Sequence, residues 1–518
     1  MPGSRPVEPM ETESMWLATT PTTDYPPLEE ETSVDVAVVG GGITGLTAAI
    51  TLKKAGRTVA VIESDRVVES TTGHTTAKLT SQHGLIYEKL RSGFGEEKAK
   101  QYADANEAAI DEVGRRVEAD GIECNFRRTS AYTYATSSKD VQQLREEART
   151  ARSVGLPASF VTETPLPFDD AVEGAVRFDD QAEFHPRRYL LSVADSIHGD
   201  GSVIYETTRA LDVEPGSPCR VETERGEVVA DDVVVATHFP FFDRAGYFSR
   251  MHPHRAYLLA ARVEESLEGM YYSTDSPPAT IRSHPALGEG GEELLIAGGQ
   301  SHKPGLDGPE ASERYRRCED FLREHFTVES IEYRWSTMDY SSIDSVPFIG
   351  RIDPRSRRVY VGTGFNGWGM SGGTAAGLIL ADLITDGDSP WADVFDPQRL
   401  PPRSAAKSFL EENATVGGSF VGDRIKALLA ALEGRGSNGV PERGNARVVR
   451  RAGRPTGLYR DEDGTVHAVS AICPHMDCIV RWNDAERTWD CPCHGSRFTY
   501  EGDVLSGPAL EGLLYRKR

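Results

Sequence analysis

Cysteine is scarce in this sequence, and the few cysteines are unevenly placed. Only seven occur among 518 residues, and four of them, Cys473, Cys478, Cys491 and Cys493, fall within 21 residues of chain. A secreted disulfide framework would spread its cysteines along the sequence. The clustering instead indicates a metal or redox site, and the dispersed Cys124, Cys219 and Cys318 are interpreted as ordinary thiols.

The chain also lacks an excess of positive charge. It carries 57 Lys and Arg against 80 Asp and Glu, for a net charge of -23. Nucleic-acid binding depends on clustered cations that neutralise phosphates, so a nucleic-acid partner is not expected.

Secretion and membrane signals are equally absent. The opening residues MPGSRPVEPMETESMW are polar and acidic, so we expect no secretory leader and a cytoplasmic location. The one long apolar window, SVDVAVVGGGITGLTAAITL, contains Asp35 and four glycines, and we predict no membrane anchor.

A chain of this length exceeds what a single hydrophobic core supports, so several domains are expected. Residues 1–32 are rich in Pro, Thr and Glu and are predicted to be a flexible acidic segment. Over 33–400, short β-branched runs alternate with amphipathic stretches, which indicates an α/β core. Residues 401–440 are predicted to be a helical segment with a linker, and 441–518 a small all-β domain.

Charge is distributed unequally between these parts. Residues 440–518 carry 12 Lys and Arg against 11 Asp and Glu, so the first 439 residues carry a net charge of about -24. This asymmetry would help the C-terminal domain to dock on the acidic body, although a neutral surface with no partner preference explains it equally well.

A dinucleotide-binding pattern opens the α/β core. Gly40, Gly42 and Gly45 follow a predicted strand in G-x-G-x-x-G spacing and lead into a predicted helix. The first glycine permits a tight turn, the second lets a pyrophosphate approach the backbone, and the third lets helix and strand pack closely. The next strand ends in Glu63, whose carboxylate can accept hydrogen bonds from ribose hydroxyls. FAD and NAD both fit at this point.

Two further stretches carry a family resemblance. With the glycine pattern, VVVATH at 233–238 and VYVGTGFNGWGMSGGTAAGLILADLI at 359–384 resemble FAD-dependent oxidoreductases of the glycine oxidase and D-amino-acid oxidase class over roughly 34–390. The resemblance implies a Rossmann-like FAD-binding core with an inserted mixed α+β substrate region. It also implies FAD contacts from Gly364, Asn366, Gly367 and Met370 and, in the loop TTGHTTAKLTSQHG, from Thr72, His74 and Thr75, unless that loop is simply solvated.

The same resemblance bears on attachment and substrate. Some relatives tether FAD through a cysteine just before the stretch that here reads WSTMDYSSIDSVPFIG; no cysteine occurs there, so FAD is expected to be non-covalent. A cationic or hydroxyl group above the flavin would hold a substrate carboxylate. The candidates are Arg255, Tyr257, His302 and Tyr340, against surface ion-pairing for Arg255 and core packing for Tyr257.

The C-terminal cysteines are interleaved with histidines. Cys473 and His475 stand two apart, and Cys491 and His494 three apart, so each of two loops offers one thiolate and one imidazole. Zinc accepts two Cys and two His, but structural zinc loops usually leave two or more residues between ligands. A [2Fe–2S] cluster is therefore favoured, with zinc as the rival.

CPHMDC at 473–478 and CPCHGSRF at 491–498 resemble the two ligand boxes of Rieske proteins, over roughly 440–518. The resemblance implies that Cys473 and Cys491 bind one iron and that His475 and His494 bind the other. It also implies a disulfide between Cys478 and Cys493, a loop SGPAL at 506–510 that shields the cluster, and a serine and a tyrosine that raise the potential. Ser496 keeps the first of these groups, and Phe498 stands in place of the second.

A flavin and a one-electron cluster on one chain suggest a relay. The leading hypothesis is an FAD-dependent dehydrogenase that oxidises an amine or amino acid and sends electrons through the cluster to an external acceptor, for which a ferredoxin-like protein is one candidate. Two alternatives stay open: electrons enter through the cluster to reduce the flavin, or the Rieske domain is a structural or redox-sensing module on an oxygen-using oxidase. A nicotinamide-linked reductase is disfavoured because no second glycine pattern follows a strand.

Overall fold

A computed structural model of the chain describes residues 12–168, 171–242, 245–285, 293–304, 309–402, 405 and 439–514. Most of the predicted helical segment over 401–440 lies outside these residues. The described chain contains two large sheets with flanking helices, followed by two small sheets near the C-terminus. This arrangement confirms the predicted α/β core and all-β C-terminal domain.

The first sheet has the order β16-β17-β10-β1-β2-β7, with β9 on β10 and β8 on β9. Strands β17, β10, β1, β2 and β7 run parallel, as in a nucleotide-binding fold. The bounds are β1 Thr32–Val39, β2 Val59–Ile62, β7 Val203–Tyr205, β8 Ala210–Glu214, β9 Cys219–Thr223, β10 Glu227–Val235, β16 Phe348–Arg351 and β17 Val359–Thr363. Their Val-rich sequences suit strands covered on both faces.

The second sheet has the order β15-β11-β14-β13-β12-β4-β6-β3, with β5 on β6. It is antiparallel except where β12 runs parallel to β4. The bounds are β3 Lys78–Leu79, β4 Arg127–Ala135, β5 Ala158–Val161, β6 Gly174–Glu183, β11 Met251–Val263, β12 Met270–Ser273, β13 Thr280–His284, β14 Leu294–His302 and β15 Val328–Ser342. This sheet is the predicted inserted region.

The helices are α1 Met15–Ala18, α2 Ile43–Lys54, α3 Tyr87–Phe94, α4 Glu96–Asp120, α5 Val141–Ser153, α6 Pro186–Ile197, α7 Tyr247–Arg250, α8 Ala311–His325, α9 Gly369–Thr385 and α10 Ala392–Phe395. Glycines bring α9 close to α2. A Cβ on Gly377 would lie 2.6 Å from Cβ of Thr47, and one on Gly373 would lie 2.8 Å from Oγ1 of Thr44. The late glycine-rich stretch therefore packs one helix against the other.

The N-terminal segment differs from its prediction. Residues 12–31 are anchored, because Met15 and Trp16 are fully buried and the Trp16 indole donates a 2.7 Å hydrogen bond to the carbonyl of Thr75. The Ser14 hydroxyl similarly bonds the carbonyl of Gly73 at 2.6 Å. Burial of this large aromatic ring offsets the entropic cost of ordering a segment whose polar composition predicts flexibility.

The C-terminal domain contains β18 Ala446–Arg451, β19 Arg454–Arg460, β20 Val466–Ser470, β21 Arg481–Asn483, β22 Thr488–Asp490, β23 Arg497–Phe498 and β24 Val504–Ser506. Strands β18-β19-β20 form one antiparallel sheet and β21-β22-β23-β24 another. Their shared core is built around Trp489, Phe498 and the four clustered cysteines. No helix within the described ranges is long and apolar enough to cross a membrane.

Candidate functional site

A cavity of about 470 Å³ lies between the two large sheets. It extends from the end of β1, through the loop that follows β2, to the start of α9. Nine of the predicted cofactor residues lie on its wall: Gly40, Gly42, Glu63, Thr72, His74, Thr75, Asn366, Gly367 and Met370. Gly45 and Gly364 lie behind the wall.

The glycine turn fits a dinucleotide on steric grounds. A Cβ on Gly40 would lie 2.4 Å from the carbonyl oxygen of Ala236, and one on Gly45 would lie 1.9 Å from that of Gly40. Gly42 is different: its nearest neighbour would be the Thr72 hydroxyl at 3.1 Å, so its bare backbone faces the cavity. Two glycines thus allow close packing, while the third leaves room for a ligand.

Glu63 closes the turn from the neighbouring strand. Its Oε2 accepts a 2.7 Å hydrogen bond from the Gly41 amide, and its Oε1 accepts bonds from the Ser64 hydroxyl and the Asp65 amide at 3.0 and 3.1 Å. Burial raises the pKa of this carboxyl, and the hydrogen bonds act against that shift. An acceptor fixed beside the glycine turn suits a ribose.

The far end of the cavity is organised around Asp339. Its Oδ2 accepts a hydrogen bond from the Gly367 amide, and its Oδ1 lies 3.5 Å from Nε2 of His238. Burial raises the pKa of Asp339. The Asn366 amide group bonds the Ser342 amide and the Gly364 carbonyl at 3.0 and 2.9 Å, which holds the turn before α9. These contacts fix the first turn of α9 against the cavity.

Only one of the four substrate candidates lies on the cavity wall. Tyr340 does, whereas Arg255, Tyr257 and His302 do not. Along β11 the wall is formed by His254, Ala256 and Leu258, because alternate side chains of a strand face opposite sides. Tyr257 instead packs in the core, its ring 4.9 Å from Tyr315 and 5.7 Å from His302.

Lys78 is a wall residue that sequence reasoning missed. Its Nζ donates to the carbonyl of Tyr271 and, at 2.5 Å, to the hydroxyl of Thr280. Burial, reinforced by the neighbouring Arg282, holds its pKa well below the usual value. The only sequence feature that could have indicated Lys78 is that it is the one charged residue in the stretch TTAKLT.

The C-terminal domain brings its four predicted ligands together. Cys473 and Cys491 are buried with their thiols in hydrogen-bonding contact, and the rings of His475 and His494 lie 4.9 Å apart. Neither ring nitrogen of the buried His494 has a hydrogen-bond partner among the described residues. Two thiols on one side and two imidazoles on the other are the donor set of a Rieske [2Fe–2S] cluster.

The ligand loops are matched turns joined by a disulfide. The Asp477 amide bonds the carbonyl of Cys473 at 3.0 Å, and the Gly495 amide bonds that of Cys491 at 3.1 Å. Cys478 and Cys493 form the predicted disulfide. The Sγ atoms of these two and of Cys491 lie within 4.8 Å of one another, and the disulfide leaves Cys491 as the ligand.

Ser496 and the shielding loop complete this centre. The Ser496 hydroxyl bonds the Cys473 thiol and accepts a 3.0 Å hydrogen bond from the Ala509 amide. Phe498 is fully buried nearby and offers no hydroxyl. Residues 505–510 also line the large cavity, so the loop that covers the ligands faces the cofactor pocket as well.

Comparisons with known proteins agree with both sites. Residues 35–383 match the family described as DAO, FAD dependent oxidoreductase. The chain belongs to this family. Residues 435–514 match the Rieske [2Fe-2S] domain. We call these parts the FAD domain and the Rieske domain, and FAD and a [2Fe–2S] cluster are their cofactors.

One relative matches nearly the whole chain, and others match about 71% of it. The chain is 36% identical over 504 residues to the putative Rieske 2Fe-2S iron-sulfur protein YhfW of Bacillus subtilis, covering 97% of each chain. It is 24% identical to gamma-glutamylputrescine oxidoreductase of Escherichia coli, covering 71% of this chain and 87% of that one. Glycine oxidase from Geobacillus kaustophilus shares the fold with a TM-score of 0.56 and 19% identity, over 71% and 100% of the two chains.

The Rieske domain docks with its ligand loop against the FAD domain. Tyr340, on the cavity wall, donates a 2.7 Å hydrogen bond to the carbonyl of His494. Gly495 has a φ of +75°, and a Cβ there would lie 2.8 Å from Sδ of Met338, another wall residue. The Phe239 ring lies 6.4 Å from the rings of both His475 and His494. The second ligand loop therefore rests on the wall of the 470 Å³ cavity, which we call the flavin cavity.

A buried ion-pair network holds this interface. Arg255 lies 2.9 Å from Asp490 and 3.4 Å from Glu486, and Arg497 pairs with both acids from within the Rieske domain. Although burial alone would raise it, Arg497 and Arg255 hold the pKa of Glu486 at about 2. Arg255 therefore forms ion pairs across the domain interface and does not line the cavity. This position differs from the expectation that Arg255 binds substrate.

Asp484 adds a second contact, at the start of α8. Its Oδ1 accepts hydrogen bonds from the amides of Ala311 and Ser312 at 3.0 and 3.3 Å, and its Oδ2 accepts one from the Ser312 hydroxyl. A carboxylate at a helix N-terminus satisfies free amides and complements the helix dipole. At this interface, carboxylates of the Rieske domain thus contact the Arg255 guanidinium and the N-terminus of α8, both in the FAD domain.

Proposed function

We propose that this protein is an FAD-dependent dehydrogenase that oxidises an amine or amino acid and passes the electrons, one at a time, through its Rieske cluster to an external acceptor. The flavin supplies two-electron oxidation of a C–N bond, and the cluster carries single electrons. The neutral amine loses two electrons and two protons to become an imine; the protons pass to solvent, and the acceptor takes the two electrons in two steps.

The hydrogen bond from Tyr340 to His494 carries this proposal. One partner lies on the flavin cavity wall, and the other is a ligand residue of the cluster. Met338 and Phe239 provide neighbouring contacts across the same boundary. A domain used only for structural support would not require its ligand loop at this wall.

The chain's own residues prepare the cavity for an amine. Ala256, Leu258 and Tyr272 form apolar and aromatic wall on the β11 and β12 side, which excludes water around the reacting bond. Lys78 also lies on this wall, where burial lowers its pKa, and its amine is a candidate to exchange a proton with the substrate amine. The amine substrates in the names of gamma-glutamylputrescine oxidoreductase and glycine oxidase support the substrate class.

An anaerobic substrate screen tests the proposal. Purified holoenzyme is mixed with a panel of amino acids and polyamines while flavin absorbance and the cluster's electron paramagnetic resonance signal are recorded. The proposal expects the flavin to bleach first and the cluster signal to grow afterwards. A Cys473→Ser variant, which removes a cluster ligand, serves as control and should bleach without a signal.

Other outcomes favour the alternatives. Turnover with oxygen while the cluster stays silent would support an oxidase with a structural Rieske domain. Reduction of the flavin by a reduced ferredoxin, but by no amine, would support electron entry through the cluster.

A further inference from the structure

A second, smaller cavity adjoins the flavin cavity. It has a volume of about 210 Å³, and we call it the vestibule. Its ten wall residues are His83, Gly84, Leu85, Ile86, Lys89, Tyr102, Tyr272, Ser345, Asn366 and Trp368. Three of these, Tyr272, Asn366 and Trp368, also line the flavin cavity. The two spaces therefore share a wall.

Two aromatic rings form that shared wall. Tyr272 and Trp368 meet edge to face with ring centres 5.3 Å apart. Trp368 is also stacked on His83 at 5.0 Å, and it directly precedes α9, whose first residues line the flavin cavity. The vestibule thus borders the end of the flavin cavity at Asn366, Gly367 and Met370, where the resemblance implies FAD contacts.

The vestibule carries charge of one sign. His83 is held neutral, because burial lowers its pKa to about 3 and its ring nitrogens bond Tyr102, Thr80 and Ser371. Lys89 is the one remaining ionisable cation on the wall, and none of the ten residues is acidic. The whole chain carries a net charge of -23, so its average surface is acidic. A cavity wall with one cation and no carboxylate differs from that average.

Lys89 is placed to receive an anion. It lies on α3 and is exposed, so the vestibule opens to the surface beside it. Its Nζ donates a 3.3 Å hydrogen bond to the hydroxyl of Ser345. Within the described ranges no carboxylate lies within ion-pairing distance of this ammonium, so its charge is not neutralised there.

We propose that the two cavities connect at the edge of this wall, so that the vestibule binds a carboxylate group of the substrate through Lys89 while the amine of the same molecule lies past Tyr272 and Trp368 in the flavin cavity. This rests on the proposed amine oxidation and narrows its substrate to amines whose carboxylate is separated from the reacting C–N bond by a chain. An α-amino acid carries both groups on one carbon and cannot span the two cavities.

Paired probes test the proposal without turnover. Binding of 5-aminopentanoate and of pentylamine is measured by calorimetry under anaerobic conditions, on holoenzyme whose flavin has been reduced beforehand with dithionite so that neither amine can be oxidised. The carboxylate-bearing probe should bind more tightly, by about fivefold for one partly exposed ion pair. Lys89→Met should abolish this preference, Lys89→Glu should reverse it, and Lys89→Arg should keep it.

The matched control is Lys100→Met. Lys100 is an exposed lysine on α4, paired with Asp104 at 2.7 Å and absent from both cavity walls. This variant should retain the preference in full. Because Lys89 and Lys100 are both exposed, neither substitution should prevent folding.

Two results would overturn the proposal. One is equal binding of the two probes, or no saturable binding of the carboxylate probe. The other is a preference that survives Lys89→Met. Electron export to the cluster is read separately, by electron paramagnetic resonance, so failure of the relay and failure of the vestibule give different results.

Discussion

The hydroxyl of Tyr340 donates a 2.7 Å hydrogen bond to the backbone carbonyl of His494. The two residues are 154 positions apart and belong to different domains. Both are buried, so the contact excludes water between the flavin cavity wall and a cluster ligand. The proposed relay depends on this contact.

Tyr340→Phe removes the hydroxyl and leaves the His494 carbonyl without that donor. We expect a loss of about 1–3 kcal/mol in the free energy of unfolding, the cost of an unsatisfied buried acceptor. Electron transfer from flavin to cluster should also become slower. Denaturant unfolding and stopped-flow absorbance measure the two effects. Tyr257→Phe, at a buried tyrosine away from the cavity wall, should leave the transfer rate unchanged; equal slowing in both variants would contradict the account.

Gly495→Ala tests the close approach of the ligand loop. The new methyl group would meet Sδ of Met338 at 2.8 Å and Cβ of Pro253 at 3.0 Å, so the loop must move away from the wall. We expect about 1–3 kcal/mol of destabilisation from overpacking, with slower internal electron transfer.

Gly453→Ala is the matched control for that substitution. Gly453 has a similar φ of +79°, but no atom lies within 4 Å of its added Cβ. It therefore isolates backbone strain from the contact. If Gly453→Ala slowed internal transfer as much as Gly495→Ala, the approach of Gly495 to Met338 would not explain the effect.

Glu486 makes the domain interface sensitive to acid. Its pKa is lowered from 4.5 to about 2, so its contribution to stability is complete above pH 4.5 and is lost as the pH falls towards 2. The groups that face it are Arg255 on β11, Arg497 on β23, Tyr315 on α8, Ser336 on β15, Asp490 on β22 and His74.

Glu486→Gln removes this titration. The stability difference between the native protein and the variant should be constant at neutral pH and shrink by about 3 kcal/mol as the pH falls through that window. Unfolding measured at a series of pH values, with both proteins in parallel, cancels acid effects on the cluster itself. A difference independent of pH would show that Glu486 is not held charged by the two arginines.

Ser496→Ala should lower the reduction potential of the cluster. Its hydroxyl bonds the Cys473 thiol, and such a bond favours the reduced, more negative state by about 1–2 kcal/mol. We therefore expect a fall of several tens of mV in a titration followed by electron paramagnetic resonance. Ser470→Ala, in β20, is the control. An unchanged potential in Ser496→Ala would mean that Ser496 has only a structural role.

Sequence patterns predicted the local parts of this molecule well. The glycine turn, Glu63 and both cluster boxes are short motifs whose spacing is fixed by the group they hold. The substrate side was less accessible. The residue types of Arg255 and Tyr257 suit a substrate contact, but the cavity wall is formed by His254, Ala256 and Leu258 on the opposite face of β11. One sequence does not show which face of a strand borders a cavity.

The features that the sequence did not predict depend on long-range contacts. The ion pair of Arg255 with Asp490 joins residues 235 positions apart, and each lies in a stretch with no distinctive local pattern. Trp16 is similar: one aromatic residue in a polar, acidic stretch gave no periodic signal, yet it anchors the segment against the loop at Thr75. Such contacts depend on tertiary packing, which composition and periodicity do not encode.

The most direct test of the relay is internal electron transfer after photoreduction of the flavin. The flavin is reduced by light in anaerobic holoenzyme, without any substrate, and the cluster signal is followed over a range of protein concentrations. Transfer within one chain predicts that the cluster becomes reduced at a rate independent of protein concentration. A cluster that stays oxidised, or a rate that rises in proportion to protein concentration, would contradict it.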